Sequence, residues 1–443
     1  MGKDSIKGFP EWLPEQRMVE LRFLDTIRRH FELAGFAPIE TRSVEPLDVL
    51  MAKGETDKEI YVLRRLHATD KDEDASLGLH FDLTVPFARY VSQNRGQLVF
   101  PMRRYQMQKA WRGERPQEGR YREFYQCDAD VIAENELGVH YDVEMTVLLA
   151  ETVAALPVPP VTVRVNNRKI LEGFYRSLGA QDFGPVLRVV DKLAKIGADA
   201  VREQLIALGL SSAAADQCLK LAHVKGDDRG VVDAVRALGE KHEVLEQGLD
   251  ELSILLDATR SLPRGAVVAD LGIARGLDYY TGIIFEGLMQ GHEEGGSVCS
   301  GGRYDNLASM GSKQKLPGIG ASIGLSRILG RLFKRNQLIA SRKTPSCVLV
   351  MLDSDETRVA AFAAARALRA RGIAAEVHDR ALKYGKQMEY AQKKGIPFVW
   401  FPVTAERTQA ELKDIRVGVQ SSVDIATWNP PPEDLTVQVS RGP

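Results

Sequence analysis

Apolar positions fall at helical spacing first at residues 17–34, where Leu21, Leu24, Ile27 and Phe31 predict an amphipathic helix closed by Gly35. Phe36–Thr41 then reads as a short strand, and residues 45–75 as a charged, loop-rich stretch. From about 78 to 132, β-type runs such as LGLHFDLTVPF and EFYQCDADVI alternate with charged turns. This predicts antiparallel sheet rather than βαβ units. Residues 138–155 return to helix, and LPVPPVTVRV marks a boundary near 156–165. Helical patterning rich in Ala and Leu dominates 167–260, as an inserted module would. β-type runs resume in AVVADLGIARGLDYYTGIIFEGL, and PGIGASIGLSRIL opens a further helix. Lys334–Pro345 reads as a basic linker. Beyond it, strands (SCVLVML, IAAEVHD, IPFVWFPV) alternate with helices, predicting a small α/β domain with a mostly parallel sheet.

Composition narrows the class. The 443 residues carry 59 Lys+Arg against 60 Asp+Glu, which argues against a protein that coats nucleic acid through bulk charge. The hydrophobic fraction of 44% excludes a mostly disordered chain. The four cysteines, Cys127, Cys218, Cys299 and Cys347, form no C-x-x-C pair, and no secretory signal or membrane-spanning run is seen. The expectation is a reduced, cytoplasmic protein.

The near-zero total hides local charge. Residues 103–122 hold Arg103, Arg104, Lys109, Arg112, Arg115, Arg120 and Arg122 against Glu114 and Glu118, a net +5, with Tyr105, Tyr121, Phe124 and Tyr125 in or beside the run. Arginine forks match phosphate oxygens and aromatic faces stack on bases, so the segment suits a nucleotide or RNA. Composition alone leaves open a solvated hairpin. Arg275 lies in the apolar run ARGLDYYTG with Asp278, Tyr279 and Tyr280, where it needs either an acid or an anionic ligand. Asp82 in HFDLT and Asp130 in CDADV could hold a substrate ammonium, or could be solvated edge groups. Gly318, Gly320 and Gly324 miss the dinucleotide fingerprint by one residue, and no P-loop occurs.

Taken together, GFAPIETRSVEPLDVL with Pro46, KAWRGERPQEGRYREFYQCDADV, ARGLDYYTGIIFE followed by SGGRYDNL, and PGIGASIGLSRIL resemble, in order, motif 1, motif 2, the histidine motif and motif 3 of histidyl-tRNA synthetases, a class II family. The resemblance runs from about residue 15 to about 400. It implies an α+β fold: a six-stranded antiparallel catalytic core over residues 1–166 and 261–335, a helical insertion at 167–260, and an anticodon-binding α/β domain at 345–443. It implies a histidine–tRNA ligase that uses ATP and Mg²⁺, with L-histidine and tRNA(His) as partners, working as a homodimer without a membrane.

The resemblance also implies roles. Arg112 and Arg275 would act on the α-phosphate, Glu114 and Phe124 would hold adenine, and Arg120 and Arg327 the outer phosphates. Asp82, Thr84, Gln126, Asp130, Tyr279 and Tyr280 would surround the histidine, with Arg275 beside them. Arg115, Gln117 and Arg122 would meet tRNA. Two positions depart from the usual pattern. Ser326 stands where motif 3 usually has Glu, and Asp82 where many bacterial members have Glu; HFDLT looks like the eukaryotic and archaeal form. The last residues, WNPPPEDLTVQVSRGP, are unassigned. A synthetase-like regulatory subunit of ATP phosphoribosyltransferase is the alternative, but such paralogues usually lose active-site residues and the anticodon-binding domain.

Overall fold

Two ten-residue strands, Met102–Trp111 and Glu123–Ile132, set the centre of the fold. They pair antiparallel at every position, from Met102 opposite Ile132 to Trp111 opposite Glu123. The computed structural model describes residues 6–51, 59–67, 76–274, 280–306 and 314–442. Among these residues nine strands form the main sheet: β1 (Ala37–Pro38), β2 (Met102–Trp111), β3 (Glu123–Ile132), β4 (Val161–Asn167), β5 (Lys225–Gly226), β6 (Val267–Asp270), β7 (Ile283–Met289), β8 (Cys299–Tyr304) and β9 (Gly318–Gly324). Their order is β1-β2-β3-β9-β8-β7-β4-β6-β5. The six strands from β2 to β4 in that order are antiparallel throughout, which is the expected core. The short edges make the whole sheet mixed, because β1 joins β2 and β6 joins β4 in parallel.

Several expected elements shift. The helix predicted at 17–34 runs Pro14–Leu33, and the strand expected at Phe36–Thr41 shrinks to Ala37–Pro38. LGLHFDLTVPF does not form one strand. Only Leu77–Leu79 is extended, and Thr84–Asn94 is a helix. The Asp82 carboxylate accepts the Val85 N–H at 3.0 Å, and Pro86 falls in the first turn, where its missing N–H costs little. Val85 and Phe87 mimic strand alternation, but both are buried helix positions along with Val91. Part of the stretch read as loop forms a small sheet of Val44–Pro46, Leu77–Leu79 and Val62–Leu63.

Residues 168–258 are largely helical, as expected for the insertion. Its first and last long helices, Arg168–Ser177 and Glu243–Ala258, approach closely through two glycines. A Cβ on Gly173 would lie 2.3 Å from the Leu245 nitrogen, and one on Gly248 would lie 2.7 Å from the Ile170 nitrogen.

The chain forms two compact units, residues 1–10 with 23–331, and residues 11–22 with 332–443. In the second unit Ala375–Val377, Val348–Val350 and Phe398–Phe401 lie parallel, and Glu411–Asp414 and Gln420–Ser422 continue the sheet antiparallel. Trp400, Val348, Val350, Leu368 and Ile373 are at its core. The stretch read as a linker is partly built in: Leu338–Ala340 pairs antiparallel with Val439–Arg441, so the unassigned tail closes on it. No helix among the described residues is long and apolar enough to cross a membrane.

Candidate active site

Strand periodicity builds the acid end of the cleft. Gln126, Asp128 and Asp130 alternate along β3 and share a face. On β9 they face Gly324, Ser322 and Gly320 respectively. Gly320 is required there, since a Cβ would stand 2.1 Å from an Asp130 carboxylate oxygen. Gln126, Asp128, Asp130, Gly320 and Ser322, with Asp82, Thr84, Arg112, Tyr280, Ser300, Gly301, Tyr304 and Ala321, line a cavity of about 490 Å³.

The three carboxyls differ in their bonds. Asp130 is 2.7 Å from the Arg104 guanidinium, with both side chains buried, and it also accepts the Tyr304 hydroxyl at 2.7 Å. One Asp82 oxygen caps the helix start at Val85. Asp128 keeps one buried oxygen, Oδ1, without a hydrogen-bond partner among the described residues, as does Gln126 at Oε1. Burial pushes the Asp128 carboxyl up to about 7; Arg104 and the Ser322 hydroxyl oppose the rise, while Asp130 and Asp82 add to it.

A second cavity of about 560 Å³ adjoins it, sharing Arg112, Gln126, Ser300 and Ser322. Arg120, Arg327, Glu114 and Phe124 complete its functional lining. The Arg112 Nε donates to the Phe81 carbonyl at 3.0 Å, and its guanidinium lies 5.1 Å from the Phe124 ring centre. Arg120 reaches Glu114 at 3.4 Å, and Arg327 donates to the Ser297 carbonyl at 2.6 Å. Desolvation, then the charges of Arg120, Arg331 and Arg112, lower Arg327 to about 10. It is still a cation at neutral pH, held among like charges, as an anion-binding group would be. Ser326 does not leave a gap where the family usually has Glu: its hydroxyl accepts the Tyr125 N–H at 2.8 Å, tying the helix Leu325–Lys334 to β3.

Most of the expected residues therefore converge: Arg112, Glu114, Arg120, Phe124 and Arg327 at one end, and Asp82, Thr84, Gln126, Asp130 and Tyr280 at the other. Arg275 and Tyr279 lie outside the described residues. Arg115 and Gln117 are exposed on the hairpin between β2 and β3, whose tip is closed by mutual backbone bonds of Gln117 and Arg120. Arg122 is half-buried and donates to the Glu114 carbonyl at 3.3 Å.

The basic run proves to be divided. Arg103 pairs with Glu144, Arg104 with Asp130 and Lys109 with Glu123. The cleft itself receives Arg112 and Arg120. Sequence reasoning missed Asp128 and Tyr304. Strand alternation from Asp130 would have found Asp128, and the GGRYD motif already contained Tyr304.

A family model described as Histidyl-tRNA synthetase matches residues 8–328, and one described as Anticodon binding domain matches residues 346–427. The chain is 55% identical to a histidine–tRNA ligase of Thermobifida fusca (strain YX), covering 96% of this chain and 97% of the relative. It is 50% identical to one of Micrococcus luteus, with 99% of each covered. A crystal structure of histidyl-tRNA synthetase from Nostoc sp. PCC 7120 superposes with a TM-score of 0.86 at 35% identity, over 96% of this chain and 97% of that one. A Bacillus halodurans structure described as an ATP phosphoribosyltransferase regulatory subunit/histidyl-tRNA synthetase shares the fold, with a TM-score of 0.73 at 22% identity over 88% and 97% of the two chains. With its motifs, two-ended cleft and full-length relatives in agreement, the chain belongs to the histidyl-tRNA synthetase family.

Proposed function

We propose that the two cavities are the histidine and ATP ends of one adenylate-forming site. The chain is a histidine–tRNA ligase: it joins L-histidine to tRNA(His) at the expense of ATP. The observation that carries the site reading is the meeting of an acidic and a cationic cavity at Arg112.

At that junction a carboxylate oxygen of histidine attacks the α-phosphorus. A new O–P bond forms, the bond to the β-phosphate oxygen breaks, and pyrophosphate leaves. Arg112 faces the charge that grows on the α-phosphate, and the family resemblance assigns Arg275 to the same charge. Arg120 and Arg327 hold the outer phosphates. Arginine keeps its proton through the working range, so its stabilisation is present throughout the step. Phe124 stacks on adenine, beside Glu114. Asp82, Thr84 and Gln126 receive the ammonium, and Asp130 with Tyr279 and Tyr280 shape the ring pocket. In the second step a ribose hydroxyl at the tRNA 3′ end attacks the acyl carbon and AMP leaves.

Among the described residues no group of three or more His, Cys, Asp or Glu could hold a metal ion. Mg²⁺ would accompany the nucleotide, where it would neutralise phosphate oxygens. Arg115 and Gln117 on the exposed hairpin, with Arg122 at its base, are the groups assigned to the acceptor end. Residues 1–166 and 261–335 form the catalytic core in this reading, 167–260 the insertion and 345–443 the anticodon reader. A cytoplasmic homodimer belongs to the same proposal; the exposed Met51, Val62 and Val99 near motif 1 support a partner surface.

The regulatory-subunit alternative is disfavoured by the retained arginines and by the matched anticodon-binding domain. Pyrophosphate exchange into ATP, run with each amino acid in turn, tests the site reading. Exchange is expected with histidine alone; none with histidine would refute it.

A further inference from the structure

We propose that Asp128 accepts the ring N–H of the bound histidine, and so helps decide which amino acid the acid end admits. This rests on the histidine–tRNA ligase reading and adds a specificity residue to it.

Three carboxyls reach the cavity, but their oxygens are not equally available. Asp130 is committed to Arg104 and Tyr304, and Asp82 turns one oxygen to the Val85 N–H. Asp128 is 3% exposed, and its Oδ1 meets no donor among the described residues. A buried carboxyl oxygen left in that state is costly, and a fold that keeps one on a residue lining a cavity favours a ligand that supplies the donor. Gln126 has the same property at Oε1.

The two open acceptors define the ligand. Gln126 and Asp128 are two residues apart on one strand face, a spacing of roughly 7 Å along the backbone. The occupant must therefore present two separate donors. Gln126 lines both cavities, so it stands at the junction, where the α-carboxylate meets phosphate and the α-ammonium is next to it. Asp128 lines the acid cavity alone, on the side away from the phosphates. The donor that reaches it is at the far end of the side chain, and for histidine this is a ring N–H. The chemistry also matches: the Asp128 carboxyl, raised to about 7, is close to the ordinary imidazole value of about 6.5. The pair can then hold a proton between them without a large mismatch.

The test uses Asp128→Asn in the full chain, measured by pyrophosphate exchange with histidine and with thiazol-4-yl-alanine, whose ring has a nitrogen but no N–H. The latter keeps the α-groups and changes only the ring. Loss of a charged acceptor is expected to raise the KM for histidine on the order of 10- to 100-fold while the KM for ATP stays within about twofold. The preference between the two amino acids should also change. An unaltered histidine KM, or an equal loss for both amino acids, would overturn the ring assignment. Ring-¹⁵N-labelled histidine bound to the wild type provides a check that needs no variant. A strongly deshielded ring N–H supports the contact, and its absence overturns it. Failure of the wild type to exchange with histidine at all would instead strike the underlying reading.

Discussion

Replacing Arg104 with methionine tests whether the acid end is held by a buried ion pair. Arg104 is fully buried, 2.7 Å from Asp130, with its guanidinium 4.3 Å from the Phe87 ring centre. Methionine fills similar space but leaves Asp130 without its cation. Orphaning one member of a buried pair costs about 3–5 kcal/mol. A second route gives a ceiling. The orphaned carboxyl can neutralise by keeping a proton that the unfolded chain releases above pH ~3.9, at about 1.4 kcal/mol per pH unit. That is about 5 kcal/mol at pH 7.5 and about 1.5 kcal/mol at pH 5. The folded variant holds the extra proton, so its stability relative to wild type falls as pH rises. Urea unfolding of both proteins at pH 7.5 and pH 5 should show a penalty near 3–5 kcal/mol that shrinks to below about 2 kcal/mol in acid. An equal penalty at both pH values, or one below about 1 kcal/mol at pH 7.5, would refute the argument.

Arg327→Ala should reduce histidine-dependent exchange by about 10²–10³-fold, yet leave the melting temperature of the free protein unchanged or higher, because the lost charge is desolvated and repelled by Arg120, Arg331 and Arg112. A large drop in melting temperature would assign Arg327 a structural role. Gly320→Ala places a methyl 2.1 Å from the Asp130 carboxylate, so exchange and melting temperature should fall together; a wild-type histidine KM would contradict the packing. In the free protein, Asp128 is surrounded by Arg104, Asp130, Asp82, Arg112, Tyr280 and Tyr304, and its raised carboxyl value makes its contribution to stability decline as pH rises from about 4 to about 7. Asp128→Asn without ligand should therefore melt above wild type at pH 8 and not at pH 5, by scanning calorimetry; a gap equal at both would remove the carboxyl as its cause.

The long strands were legible because each is a ten-residue β-type run ending at a charged turn, and the polar positions Gln126, Asp128 and Asp130 of β3 repeat at period two. EFYQCDADVI is β3 itself. HFDLTVPF was not, because Val85 and Phe87 alternate while the local bond from Asp82 to Val85 starts a helix. The six-strand expectation came from family resemblance, and it missed the added edges. β1 and β5 have two residues each, too few for any periodic signal, and exist because longer neighbours supply their hydrogen bonds. The closure of the tail was equally hidden. Leu338–Ala340 and Val439–Arg441 are about 100 positions apart, and nothing local in either announces the other.

The site shows why charge was legible and its use was not. Arg104 and Arg112 are both arginines of one basic run and share strand parity, so composition treats them alike. Their fates are decided by what lies across the hairpin. In register, Arg104 faces Asp130, Gln106 faces Asp128 and Gln108 faces Gln126, so the cation far from the hairpin tip meets its acid inside the sheet. Arg112 lies one residue beyond the end of β2, past the last paired position, and its guanidinium enters the cleft. The register of β2 with β3 alone would have separated the arginine paired inside the sheet from the one that enters the cleft. It would also have put Asp128 between a glutamine and the hydroxyl of Ser322, where no arginine faces it in register and where its acceptor is kept for a ligand.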